Sequence, residues 1–355
     1  MTPTYSSSVD YDSNRLLSAQ SRGSEAAVLT ADLLLDRALE NTDISIEPRY
    51  AFRRYSNSSL GNGDDRSIAG KFRRSRELTR LDLSASYWDQ STLVSEALET
   101  GIVRADTHRR LAQAAGTWSW SQTELWLLTA QFAYQDVSYY GGGQSLLPGY
   151  RYPSASVGEQ FSFSERGSFT FSAFGSQLRS DTRGNSSRES GLQAEVIYAF
   201  SERTRIDAAL AESIRVLAGA SSHGTDASVT ATHDYVRGSL SLIYTRSLVP
   251  YGFGYLVERQ QGTLSASRKL TEYLDANVSV FKIENNQQAV LLEVDRRSYD
   301  TATAGLNWHP AETWNLGVQV AAVRTQTVGF PSATVKSWRG AVTLSWNPRR
   351  HAISR

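Results

Sequence analysis

Among 355 residues there is no cysteine and a single methionine. Without thiols there are no disulfides and no thiolate metal sites, which suits an envelope compartment where free thiols would oxidise. No run of about 18 apolar residues occurs, so the sequence predicts no membrane-spanning helix. A charge surplus is missing as well: 37 Lys and Arg stand against 36 Asp and Glu. That balance argues against a nucleic-acid partner. The first residues, Met-Thr-Pro-Thr-Tyr, lack a charged-then-apolar leader. An exported chain needs one, so the expectation is a mature part behind an initiator methionine.

What is present is alternation. Leu81-Asp82-Leu83-Ser84-Ala85-Ser86-Tyr87 is the clearest case. A strand sends successive side chains to opposite faces, so Leu81, Leu83, Ala85 and Tyr87 share one side and Asp82, Ser84 and Ser86 the other. The pattern recurs about eighteen times with almost no helical period between, as in a closed transmembrane β-barrel, apolar outside and polar inside. A barrel strand needs only about 9–11 residues, half of them polar, so overall hydropathy does not register it.

Two kinds of connection punctuate the repeat. Short polar turns follow an aromatic or apolar residue, as in Phe163-Ser164-Glu165-Arg166-Gly167, Phe200-Ser201-Glu202-Arg203-Thr204 and Trp308-His309-Pro310-Ala311-Glu312-Thr313. Longer connections, richer in Gly and Asn, fall at 55–66, 92–105, 139–152, 181–188, 218–225, 285–296 and 326–335. Short turns on one rim and long loops on the other fit an outer-membrane barrel. Strands placed between them run from 4–14 to 335–347 and include 226–236, 238–248 and 257–270. The expectation is an all-β chain, one antiparallel barrel of about 18 strands over 1–347, with a basic tail at 348–355. Sixteen strands is the rival number, because the first hairpin, 4–38, is the weakest and 24–40 also fits an amphipathic helix. Leu29, Ala31, Leu33 and Leu35 alternate, which favours strand.

Six of the eight tryptophans, Trp118, Trp120, Trp126, Trp308, Trp314 and Trp346, lie beside a short turn, as an interface girdle requires. Three residues resist the pattern. Glu159 and Glu212 fall on the lipid face, where a bulge or a place near the rim would have to accommodate them. Pro48 interrupts the third strand, and a bulge is expected there.

The inward positions carry mostly hydroxyls and amides. A barrel of this size is too wide for side chains to fill, which leaves a wet lumen. Candidate lumen-lining residues are Arg49, Arg53, Arg73, Arg109, Asp82, Gln113, Gln131, Gln160 and Gln193. Such a wall hydrogen-bonds neutral polar solutes without trapping them by charge; equally, Ser and Thr are simply wettable strand formers. Basic residues are expected near the outer rim of one side: Arg49, Arg53, Arg54, Lys71, Arg73, Arg74, Arg109 and Arg110. They would attract an anionic solute, or pair with lipopolysaccharide phosphates or with Asp64 and Asp65. The five histidines scatter, and adjacent His233 and Asp234 point to opposite faces, so no catalytic triad forms. No metal, haem, nucleotide or other cofactor is indicated, and the chain reads as a non-enzyme.

Tyr11-Asp12-Ser13-Asn14-Arg15-Leu16, Ile44-Ser45-Ile46-Glu47-Pro48-Arg49-Tyr50, and the segments "LTRLDLSASY" and "FSERTRIDAAL" carry a further signal. In these the chain resembles a family of outer-membrane β-barrels that accompany exopolysaccharide and exosortase (PEP-CTERM) loci in Gram-negative bacteria. The resemblance extends over most of the chain and implies an outer-membrane channel for secreted polysaccharide, with periplasmic export partners. It departs at the end, where Trp346 is followed by a basic tail instead of closing the chain. Two other functions stay open: a general diffusion porin, which an inward-folded loop and opposed charges at the waist would favour, and a non-conducting anchor in an envelope complex. The best candidate loop for such a constriction is 139–152, with Tyr139, Tyr140, Gly141, Gly142 and Gly143.

Overall fold

The computed structural model describes residues 1–17, 23–96, 107–141, 147–181, 186–217, 219–252, 254–286, 296–328 and 333–348. The strands are β1 (Thr2–Asp12), β2 (Ser24–Leu39), β3 (Thr42–Tyr55), β4 (Gly63–Ser75), β5 (Thr79–Ser91), β6 (Thr107–Ser121), β7 (Trp126–Gly141), β8 (Tyr150–Ser164) and β9 (Gly167–Ser180). They continue as β10 (Ser186–Ser201), β11 (Thr204–Leu217), β12 (Ala220–Tyr235), β13 (Gly238–Tyr251), β14 (Tyr255–Lys269), β15 (Leu274–Asn286), β16 (Arg296–Ala311), β17 (Trp314–Val328) and β18 (Ala333–Trp346). One short helix, α1 (Thr92–Ser95), follows β5.

Each strand pairs antiparallel with its neighbours in sequence, and β1 pairs with β18, closing an 18-stranded transmembrane barrel. Closure removes the unpaired edges that an open sheet would present to lipid. At the seam, Tyr5, Trp346 and Trp314 stack in a row, with ring centroids 5.7 and 6.1 Å apart. The expected hairpin at the start exists: β2 is a strand in register with β1 and β3, so the helical alternative for 24–40 fails. In a wall with no free edge, the backbone groups of that stretch are satisfied only by pairing.

The two faces separate as the alternation requires. Leu192, Val196, Leu210, Leu242, Leu264, Val280, Val320 and Leu344 are exposed on the outer face. Trp118, Trp120, Trp126, Trp308, Trp314 and Trp346 share that parity and lie near the short-turn rim. Because only the outer parity meets lipid, Leu210→Arg, near the middle of β11, is expected to cost about 2–4 kcal/mol. Thr230→Arg, inward on neighbouring β12, is expected to cost far less. Denaturant titration of the two variants in vesicles checks the difference; equal losses would put Leu210 off the lipid face.

Local expectations meet four corrections. Pro48 makes no bulge: β2–β3 pairing skips from Asp32–Arg49 to Leu35–Ile46 and resumes in the same register. The ladder has a gap there because proline has no N–H to donate. Glu159 pairs in unbroken register with Leu128 and Phe171, and Glu212 with Thr225, whose Oγ1 donates to Glu212 Oε1 at 2.9 Å. Both glutamates face outward, and each lies five residues from the end of its strand. The basic residues do not gather at one rim: Arg73 pairs across from Asp82 beside the short turn at 76–78, whereas Arg53 and Arg109 lie at the opposite end. A strand climbs the full wall, so closeness in sequence to a loop does not fix height when alternate strands run in opposite directions. Finally, strands β12 to β14 are longer than their sequence boundaries, leaving only 252–254 between β13 and β14. The basic tail expected at 348–355 lies, past Pro348, outside the described residues.

Candidate functional site

The β13–β14 hairpin leaves the wall. Pairing between β12 and β13 stops at Ala227–Arg246, yet β13 and β14 stay paired to Tyr251–Tyr255. The upper ribbon turns inward and lies against the inner surface of β9 and β10 as a second layer. Its parity explains how. Leu242 and Leu264, lower on the ribbon, face lipid. Leu248, Leu256 and Glu258 continue that same face, but above the departure point it meets the inside of the barrel. Leu248 and Leu256 pack with Val137, Tyr150 and Leu178, all nearly fully buried, and Leu111, Tyr139, Tyr152 and Leu217 border the cluster. Gly254 takes φ +79° at the tip, where an added Cβ would meet Ser180 and Pro148.

An ionic cluster holds the base of the ribbon. Arg215, on the inner face of β11, is 1 % exposed. Its Nε donates to Glu189 Oε1 at 2.9 Å, and it also pairs with Asp226 and, at 3.7 Å, with Glu258 of the ribbon. Arg246 reaches Glu258 at 3.1 Å and Ser213 donates to Glu189 at 2.8 Å. A guanidinium with its forked donors suits several carboxylates at once, and so much buried charge holds only while paired.

The connection after β5 also enters the lumen. Ser91 caps α1, and Glu96 is fully buried, accepting from Tyr139 Oη at 2.9 Å and lying 3.5 Å from Arg109 Nε. On the opposite side Leu17, beyond β1, packs on Ile283, Tyr299 and Val323. The long-loop half of the lumen is thus narrowed by chain from three connections; of the connection expected to constrict it, 139–152, residues 142–146 lie outside the described residues.

The predicted lining residues occupy inward positions but differ in what they meet. The four arginines are each paired: Arg49 with Asp32 at 3.5 Å, Arg53 with Asp65 at 3.1 Å, Arg73 with Asp82 at 2.6 Å, and Arg109 with Glu96. Arg109 lies beneath α1, nearly buried. Asp82 is also bonded by Arg80 at 2.6 Å. Arg73, Asp82, Asp43 and Lys71 border a recess of about 630 Å³ near the short-turn rim. Gln131 and Gln193 border a second recess of about 430 Å³ across β6–β10, with Gln160 two positions below Gly158 at its edge. Gln113 faces the lumen from β6, exposed. Among the described residues, the inner faces of β7, β8 and β9 carry no Asp, Glu, Lys or Arg at all. Inward charge stands on other strands: on β2–β6, on β10–β12, and at Asp12 of β1 and Arg339 of β18, which pair with each other.

Sequence reasoning missed the constricting ribbon. Its signal was present as an inversion: Leu111, Val137, Tyr139, Tyr150, Tyr152 and Leu178 put apolar side chains on the lumen parity at one end of β6–β9. Apolar residues facing a wet lumen need a cover.

No family model matches the chain, and no curated protein matches it. Its fold is found among solved structures. OccK9 (OpdG) of Pseudomonas aeruginosa is 12 % identical, covers 98 % of each chain and has a TM-score of 0.51. OpdQ of the same organism is 10 % identical over 98 % of each chain, with a TM-score of 0.49. The siderophore receptor PirA of Acinetobacter baumannii is 9 % identical over 97 % of this chain and 80 % of its own, with a TM-score of 0.46. These are outer-membrane β-barrels, and at such identities the likeness shows the fold alone.

Proposed function

We propose that this chain forms a diffusion channel for small neutral hydrophilic solutes in the outer membrane of a Gram-negative bacterium. The observation that carries the reading is the β13–β14 ribbon folded into the lumen, which narrows one half of the pore, while the inner faces of β7–β9 present uncharged hydroxyls and amides below it. Short turns face the periplasm and the constricted half faces outward, as in outer-membrane barrels generally. The pore is selective by size because the ribbon limits its bore. It favours neutral solutes because the four lining arginines are already neutralised by Asp32, Asp65, Asp82 and Glu96. Weak, repeated hydroxyl contacts let a solute leave as readily as it enters. No step of bond chemistry is assigned: the chain acts as a conduit, without a cofactor, and its surroundings are lipid and lipopolysaccharide.

A second reading, export of a secreted polysaccharide with periplasmic partners, draws on the resemblance to barrels of exopolysaccharide loci and on the uncharged wall of β7–β9. It requires the ribbon to swing out of the lumen. Liposome swelling with sugars of graded size separates the two. The diffusion channel passes monosaccharides and excludes long oligomers; passage of long oligomers by the wild-type chain supports export. Absence of conductance in planar bilayers defeats both and leaves a structural anchor.

A further inference from the structure

We propose that the inner wall of β7–β9 carries a saccharide-binding subsite with the Phe174 ring as its platform; the inference rests on the channel reading. The register lays the site out in rows. Thr117, Gln131, Ser156, Phe174 and Gly191 stand side by side across β6 to β10, each the cross-strand partner of the next. In the adjoining row stand Thr129, Gly158, Ser172 and Gln193. All hold inward positions, and all but Gly191 border the recess of about 430 Å³.

Phe174 departs from its surroundings. Every other inward side chain in those two rows is a hydroxyl, an amide or glycine. Its partner is Gly191, where an added Cβ would come within 2.9 Å of Phe174 Cζ and 2.2 Å of Glu212 O. The ring therefore lies over bare backbone and is laid along the wall. An aromatic ring covering a cross-strand glycine also stabilises a sheet, but that role is served equally on the lipid face. Here the ring is half-buried at the floor of a wet recess, with amides of Gln131 and Gln193 and hydroxyls of Ser156 and Ser172 around it.

A pyranose matches this surface. One face of the sugar ring is a plate of C–H groups that stacks on an aromatic ring. Its rim carries hydroxyls, each both donor and acceptor, which amides and hydroxyls satisfy in either sense. No Asp, Glu, Lys or Arg faces inward on β7–β9, and the charged groups at the recess are Glu189 and Glu195 of β10 at its edge, carboxylates that accept hydrogen bonds from sugar hydroxyls.

The test uses the full chain in planar bilayers, with maltohexaose and cellohexaose as probes and polyethylene glycol of similar mass as a size control. The wild-type current is expected to fall saturably with at least one oligosaccharide. Phe174→Ala should raise the half-blocking concentration by roughly tenfold, with the polyethylene glycol response unchanged. Phe174→Tyr, which keeps the ring, should restore wild-type block. A conducting wild type that neither oligosaccharide blocks saturably, or a Phe174→Ala variant blocked as well as wild type, overturns the subsite and leaves the channel standing. A silent wild type defeats the channel reading instead. Calorimetry of maltohexaose with the detergent-solubilised chain then decides the subsite: heat lost in Phe174→Ala supports it, and no heat in the wild type overturns it.

Discussion

Replacing 248–256 by a short turn, so that β13 and β14 join below the point where they leave the wall, will raise single-channel conductance several-fold. The segment makes no ladder with β12 above Ala227, so barrel closure does not depend on it. Its attachment is side-chain packing: Leu248 and Leu256 are 6 % and 4 % exposed against Val137, Tyr150 and Leu178. Burying each leucine stabilises the docked ribbon by about 1.5–3 kcal/mol, an upper figure if the undocked ribbon keeps some contacts. The shortened chain should keep its heat-modifiable migration, because eighteen strands and the β1–β18 seam survive. Unchanged conductance would mean that the narrowest point lies elsewhere, at α1 or in the connection after β1, and would remove the observation on which the proposed function rests.

Arg215→Met will release the same ribbon by a different route. The substitution leaves Glu189, Asp226 and Glu258 facing one another with only Arg246 at their margin. Removing one partner of a buried ion pair costs about 3–5 kcal/mol, because the remaining charges stay desolvated. Two of these carboxylates belong to the wall, but Glu258 belongs to the ribbon, and undocking returns it to water. The expected result is a larger mean current and new tryptic cleavage after Arg246 or Arg259, without loss of the folded barrel. Arg215→Lys should fall between, since an ammonium keeps the charge but lacks the fork that reaches several carboxylates. Glu258→Gln should be milder than Arg215→Met, because it removes one negative charge and leaves the guanidinium with Glu189 and Asp226. A protease-resistant Arg215→Met variant with wild-type current would show that apolar packing alone seats the ribbon.

The wall of the barrel was readable residue by residue. Period-two alternation is local, and each strand reports its own lipid face through residues such as Leu81, Leu83 and Tyr87. The girdle was readable for the same reason: Trp126 and Trp308 lie beside polar turns, and a ring that needs lipid for its body and water for its N–H belongs there. The inward parity of Arg49, Gln131 and Gln193 followed directly. Their partners did not. Arg109 and Glu96 are brought together by the descent of α1 into the lumen, and Arg215 and Glu258, on β11 and β14, by the ribbon crossing the inside of β12.

Alternation alone, then, determined the closed cylinder, its lipid face and its wet interior, because lipid contact imposes the same two-residue period on every strand wherever it stands. Only the tertiary structure decided how much of that interior is open. The face of β13–β14 that meets lipid low on the wall meets protein above Arg246, and no local pattern distinguishes one apolar surrounding from the other. The choice was made by the apolar patch around Leu178 and by Arg215, both strands away in the sheet, through contacts that exist only once the cylinder has closed.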